Sequence, residues 1–413
     1  MKRRVVVTGI GLLTPLGLDT GSTWQAMRSA KVGFSNLTKF DLGEIEVSLA
    51  AELKNFEVTD YIDSRAARRM DEVTQYGIVA AREAFKQSGL EQGSFDSERA
   101  GVILSTGIGG FKTIEKEAAI GIERGYHRIS PFFIPLAIAN MTAGSVSMDL
   151  GLHGLSSCVI TACAASTNGI GEAFHKIRDG YLDIVVSGGS EAAITPMAVG
   201  GFASMRALSK SKDPLRASIP FDADRDGFVI GEGAGILVLE EYEHAKKRGA
   251  SILGEVVGYG STCDAYHMTA PDPEAKEAAR GIILAIEDAG IKREDIGYFN
   301  AHGTSTPLND AGETLAIRKA FGSHADNLKV SSSKSMTGHL LGASGAVEAA
   351  ATLLALRDQW VPPTVGLQKS DPQCDLDYVP SQGEDLEFEY ALSNSLGFGG
   401  HNACLALKRY HED

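Results

Sequence analysis

Short β-branched runs recur along this chain with helix-spaced stretches between them, and that alternation constrains the fold more than any other feature. The runs are VVVTG (5–9), GVILSTG (101–107), CVITA (158–162), DIVVSGG (183–189), GILVLEEY (235–242), IGYFNAHG (296–303), KVSSS (329–333) and ACLALKR (403–409). Strands alternating with helices build a layered α/β protein. The strands near 158–162 and 183–189 bracket one helix, and those near 296–300 and 329–332 bracket another. Two similar halves meeting around residue 250 are expected, 1–250 and 251–413. With no low-complexity tract or long linker between them, both belong to one compact body, and a 43% hydrophobic content supplies its core.

Composition removes several function classes. Lys and Arg total 39 against 53 Asp and Glu, a net charge of −14, which disfavours nucleic acid as a partner. No apolar run reaches the roughly 18 to 20 residues of a membrane span. The N-terminal MKRRVVVTGIGLLTPLG meets Gly and Pro too early for a secretion signal, so a cytoplasmic location is expected. Five widely spaced cysteines, an odd number, do not suggest a disulfide framework or a zinc ribbon.

Two tempting motifs fail. GIGLLTPLG offers Gly9 and Gly11 but has Thr14 and Pro15 where a dinucleotide fingerprint needs its third glycine, which disfavours a nicotinamide enzyme. DADRDG (222–227) begins like a calcium loop, yet its twelfth position is Gly233 instead of a bidentate Glu, so it reads as a structured turn.

Cys163, in VITACAAST (159–167), stands where a strand passes into a helix whose apolar face is Ile170, Ala173, Phe174 and Ile177, with Gly180 as a stop. A thiol at a helix N-terminus gains thiolate character from the dipole, and its small neighbours let a carbonyl approach. A buried cysteine packing as a small hydrophobe is the competing reading. His302 and His339 tip the balance. Both lie at strand-to-helix junctions among Gly, Ser and Thr, where α/β proteins build their sites. A thiol with two imidazoles is a nucleophile with hydrogen-bond donors or bases.

TACAAS around Cys163, NAHGTSTPLND around His302, KSMTGHLLGASGAVE around Lys334 and His339, and NSLGFGGHN at 394–402 together resemble the β-ketoacyl-[acyl-carrier-protein] synthases, the elongating condensing enzymes of bacterial type II fatty-acid synthesis. The likeness runs from VVVTGIG to GFGGHN, nearly the whole chain. It implies a thiolase-like fold of two duplicated βαβαβαββ halves in five α-β-α-β-α layers, usually as a homodimer. It implies decarboxylative condensation of an acyl-carrier with malonyl-carrier, giving a 3-oxoacyl-carrier and CO₂. A standalone polyketide-type ketosynthase and a non-catalytic chain-length partner share the fold and are the alternatives. The second lacks the nucleophile that Cys163 would supply.

By the same resemblance, Cys163, His302 and His339 form the catalytic set, with Lys334 as a further active-site residue. Lys334 could instead simply pair with Glu348. The backbone N–H groups of Cys163 and Phe398 would form the oxyanion hole. Thr304 and Thr306 would touch the pantetheine arm. Ile108, Phe202 and Phe398 would line or gate the acyl channel, with Phe133 reaching in from the dimer mate. Arg65, Arg68, Arg69, Arg128 and Arg206 match positions that dock the acidic acyl carrier protein. Neither an organic cofactor nor a catalytic metal is implied, only a structural monovalent cation near Asn300, Glu348 and Asn394. Leu396 and Ile219 depart from the family pattern, in gate packing and a local ion pair.

Overall fold

In the computed structural model, which describes residues 2–41 and 43–412, the main strands fall into two sets of five. The first is β1 (Val5–Leu13), β2 (Ala100–Ser105), β3 (Ser156–Val159), β4 (Ile184–Glu191) and β5 (Gly233–Glu241). The second is β6 (Gly254–Cys263), β7 (Ile296–Asn300), β8 (Lys329–Ser331), β9 (Tyr390–Gly397) and β10 (His401–Lys408). Their spatial orders are β3-β2-β4-β5-β1 and β8-β7-β9-β10-β6. In each set the first two pairings are parallel and the last two antiparallel. Order and sense repeat strand for strand, so the second half duplicates the first. The two meet where Val5–Val7 of β1 pairs antiparallel with Gly254–Val256 of β6.

Helices α1 (Glu72–Ser88) and α2 (Met141–Leu150) cover the outer face of the first half-sheet. Helices α4 (Lys276–Ala289) and α5 (Pro307–Phe321) cover that of the second. Between the half-sheets lie α3 (Ala165–Arg178) and α6 (Ser344–Asp358), packed on each other and on both sheets. This gives the five layers. Helix α6 is buried at every position from Ser344 to Leu356, and its Ala-rich sequence without a polar face suits a helix enclosed on all sides.

Strands β6 and β9 are missing from the β-branched runs. In β6 the cause is glycine: a Cβ on Gly258 would stand 2.3 Å from the Ala285 carbonyl oxygen, and one on Gly260 2.1 Å from that of Gly281. Helix α4 lies directly on the strand backbone, a contact that only glycine allows.

Duplication places four crossover junctions at one end of the sheets: β2 into residues 106–110, β3 into Cys163 and α3, β7 into His302 and α5, and β8 into His339 and α6. Strand ends of this kind are where open α/β sheets gather ligand-binding groups.

Candidate active site

Cys163 sits on the short 3₁₀ turn Ala162–Ala164 between β3 and α3, and Ala162 before it has φ +50°. A non-glycine residue held there is strained and needs its surroundings to fix it. Asn168 donates to Thr161 Oγ1 at 2.6 Å, while the Tyr259 hydroxyl donates to Asn168 Oδ1 at 2.5 Å. Gly397 closes on the turn from β9; a Cβ there would lie 2.7 Å from the Thr161 carbonyl oxygen. That approach turns the Phe398 N–H, together with the N–H of Cys163, toward the sulfur. The two donors sit where an oxyanion formed beside the sulfur would need them.

The expected depression of the thiol is not found. Cys163 keeps part of its surface open, but burial pushes the thiol up to about 12. Lys334 and the two N–H groups pull it down, and the nearby Glu191 carboxylate pushes it further up. Desolvation outweighs the Lys334 charge and the two N–H groups.

A cavity of about 340 Å³ opens on this turn, lined by Cys163, His302, His339, Thr304, Thr306 and Phe398, with Phe202 and Arg206 also on its wall. The rings of His302 and His339 stand 5.3 Å apart at 84°. Burial first, then the Lys334 charge, holds both imidazoles well below 6.5. Lys334 Nζ donates to the His302 carbonyl oxygen at 2.6 Å and lies 3.3 Å from His302 Nδ1. An ammonium only donates, so Nδ1 accepts and the His302 proton resides on Nε2. The Ser344 hydroxyl, 2.9 Å from His339 Nδ1, can set the same tautomer there.

Lys334 does not line the cavity. It is 1% exposed and also bonds Glu348, so the ion pair and the contact with His302 coexist. Thr304 and Thr306 hydrogen-bond each other at 2.9 Å. Ile108 is half-buried and packs in one apolar cluster with Cys163, Phe202 and Leu341. Phe133 is half-buried away from the cavity of its own chain. Arg65, Arg68, Arg69, Arg128 and Arg206 are exposed, and none has a carboxylate partner among the described residues. Arg69 lies over the Phe132 ring.

Sequence reasoning passed over the acids behind the histidines. Glu313 accepts from the N–H groups of His302 and Gly303, both at 2.8 Å, and from Asn394 at 2.7 Å. Asp310 takes the Phe221 N–H at 2.8 Å. Two acids three apart at the start of the helix after NAHG were the available signal, since they share one face. In DADRDG, Asp222 is engaged by Arg216 and by the backbone N–H groups of Asp224, Gln368 and Lys369.

Residues 2–245 match the β-ketoacyl synthase N-terminal domain and residues 253–368 its C-terminal domain. The chain belongs to the β-ketoacyl synthase family. Curated relatives named 3-oxoacyl-[acyl-carrier-protein] synthase 2 include one from Synechocystis sp., 50% identical over 410 residues, and one from Staphylococcus aureus, 50% identical over 408; each match covers 99% of both chains. Among solved structures, a β-ketoacyl synthase from Burkholderia phymatum superposes with TM-score 0.93 at 36% identity, covering 99% of this chain and 100% of that one. A type II polyketide acyl-carrier protein in complex with its ketosynthase gives 0.91 at 34%, with full coverage of both chains. As a β-ketoacyl synthase the protein is a condensing enzyme of the acyltransferase type, on the thiolase-like fold. Among the described residues no helix is long and apolar enough to cross a membrane.

Proposed function

We propose that this β-ketoacyl synthase elongates fatty acyl groups held on acyl carrier protein, and that Cys163, His302 and His339 carry the reaction. The observation that supports this most is their convergence on one cavity, with two backbone N–H groups aimed at the sulfur. Half identity over nearly the full chain to proteins named 3-oxoacyl-[acyl-carrier-protein] synthase 2 favours this reading over a polyketide one.

In the first half-reaction the Cys163 sulfur attacks the acyl thioester, the oxyanion rests on the N–H groups of Cys163 and Phe398, and the released pantetheine thiolate takes up the cysteine proton. In the second, malonyl-carrier loses CO₂, and its thioester oxygen gathers negative charge before the Nε2–H groups of His302 and His339. The enolate carbon then bonds to the acyl carbon and expels the Cys163 thiolate, which takes a proton from solvent. Thr304 and Thr306 hold the pantetheine arm. Ile108, Phe202 and Phe398 shape the acyl channel. Lys334 acts through His302, whose tautomer it fixes.

The exposed arginines 65, 68, 69, 128 and 206, none with a carboxylate partner among the described residues, dock the acidic carrier by charge complementarity. A homodimer is part of this reading. Edge strand β3 is flanked by exposed Leu155 and Ile160, with exposed Ile134, Ile138 and Met148 nearby in sequence, a surface that a second copy would cover and that would bring Phe133 toward its partner's channel. We place the enzyme in the cytoplasm and assign it no organic cofactor. Of the residues expected around a monovalent cation, Asn300 and Glu348 suit it, their Oδ1 and Oε2 being buried without hydrogen-bond partners, while Asn394 donates to Glu313; Ser393 Oγ, the register neighbour of Asn300, is also unpartnered, and Asn300 donates to the Glu348 carbonyl. Such an ion would steady the Glu348 that holds Lys334.

The test offers acyl-carriers of graded length with carboxyl-labelled malonyl-carrier. The reading expects a 3-oxoacyl-carrier two carbons longer, one CO₂ per turnover, and an acyl adduct mapping to the Cys163 peptide. An adduct on Cys158 or Cys404 alone would overturn it.

A further inference from the structure

Glu191, at the end of β4, is fully buried, and its carboxylate has no cationic partner among the described residues. Some buried acids of this protein are compensated by cations, Glu240 by Arg248 at 2.7 Å and Glu232 by Lys39 at 2.5 Å, whereas Glu191, like Glu313, is held by neutral donors. Glu191 is satisfied by two loops instead. From the junction after β2 it accepts the Thr106 hydroxyl at 2.9 Å and the Gly107 N–H at 2.6 Å, and Thr106 Oγ1 in turn accepts the Gly109 N–H at 3.0 Å. From the turn Leu341–Ala343 it accepts the Gly342 N–H at 3.0 Å.

The two loops touch backbone to backbone. A Cβ on Gly342 would stand 2.1 Å from the Gly107 nitrogen, and one on Gly107 2.7 Å from Glu191 Oε2. Leu341 is held at φ +47°, a strained conformation for a residue other than glycine, so its turn needs an external tie. One loop carries Ile108; the other joins His339 to α6, and its Leu341 lines the cavity.

We infer that Glu191 is a positioning residue that fastens the Ile108 loop to the turn beside His339, so that the acyl channel and the malonyl-reacting side of the cavity keep a common geometry. The inference rests on the reading of Ile108 as a channel residue. A carboxylate suits the task because Oε2 takes the N–H groups of both Gly107 and Gly342 while Oε1 takes the Thr106 hydroxyl; a carboxamide that keeps its oxygen toward the two N–H groups turns its NH₂ to Thr106, so that bond survives only if the hydroxyl reverses from donor to acceptor. A buried carboxylate without a cation is disfavoured by desolvation, which pushes Glu191 up to about 7, so a merely space-filling role would be better served by an apolar side chain.

The experiment measures kcat and KM for acyl-carriers of graded length in Glu191→Gln, Ile108→Ala and the double variant, with thermal unfolding to confirm the fold. Glu191→Gln is expected to change the ratio of long-chain to short-chain kcat/KM by about fivefold or more, and that change is expected to shrink below about twofold in the Ile108→Ala background, the non-additivity of coupled sites. An equal loss for all lengths, or an unchanged ratio, overturns the inference. If Ile108→Ala alone leaves length preference untouched, it is the channel reading that fails. Should Glu191→Gln not fold, Thr106→Val removes the Oε1 half of the tie to the Ile108 loop and is held to the same outcomes.

Discussion

Lys334 Nζ reaches both the carbonyl oxygen and Nδ1 of His302, at 2.6 and 3.3 Å, from a position outside the cavity that His302 lines. The ammonium therefore acts by dictating which nitrogen of His302 faces substrate. Lys334→Met should lower malonyl decarboxylation by about a hundredfold, the loss typical of removing an aligned donor. It should also destabilise the fold by about 3–5 kcal/mol, because Glu348 is left as an unpaired buried charge. Adding Glu348→Leu should restore the unfolding midpoint but not the activity. Recovery of both together would mean that Lys334 serves stability alone.

Ile108 shares an apolar cluster with Cys163. Ile108→Phe adds a ring to a packed wall, at a cost of about 1–3 kcal/mol where the neighbours cannot move. Long acyl groups should lose turnover most and short ones little. Equal loss at all lengths in a graded primer series would show that Ile108 does not line the channel.

Reversing charge at Arg65, Arg68 and Arg69 should raise KM for acyl-carrier and flatten its dependence on salt, since steering by exposed charge is screened within about 10 Å at 0.1 M. Turnover of acyl-pantetheine mimics, which need no docking surface, should hardly change. Parallel loss with both substrates would remove these arginines from the interface.

The pH profile carries the signature of the buried imidazoles. Since the folded values of His302 and His339 lie well below 6.5, both remain neutral donors as pH falls through 6.5, while an unfolded chain takes up protons there. Decarboxylation should show no imidazole inflection near 6.5. Stability from this pair, complete above 6.5, should decline as pH falls below it toward the folded values. An inflection at 6.5 in CO₂ release would mean that a solvated histidine governs the step.

How far the sequence could be read depended on whether a residue's surroundings were local. That Cys163, His302 and His339 would share one cavity was legible because each stands among small residues at a strand end, and the repeat of strand order was legible from the strand and helix rhythm. Strand β6 was not, because its glycines serve a contact with α4 that lies some twenty residues away in the chain. The acidity of Cys163 was misjudged for a similar reason. The start of α3 is visible locally, but the burial that raises the thiol and the Glu191 charge that adds to it are tertiary. Lys334 illustrates a third limit: the sequence offered Glu348 and the active site as competing partners, and one ammonium satisfies both.

Release of CO₂ from carboxyl-labelled malonyl-carrier by Cys163→Gln, with and without His302→Ala, tests the division of labour most directly. The neutral amide stands in for the acyl thioester, so Cys163→Gln should abolish condensation while CO₂ release persists or rises; adding His302→Ala should cut that release by about a hundredfold, as the developing enolate loses a donor. Decarboxylation that vanishes with Cys163 alone, or that is indifferent to His302, would contradict the assignment of the two half-reactions to separate residues of one cavity.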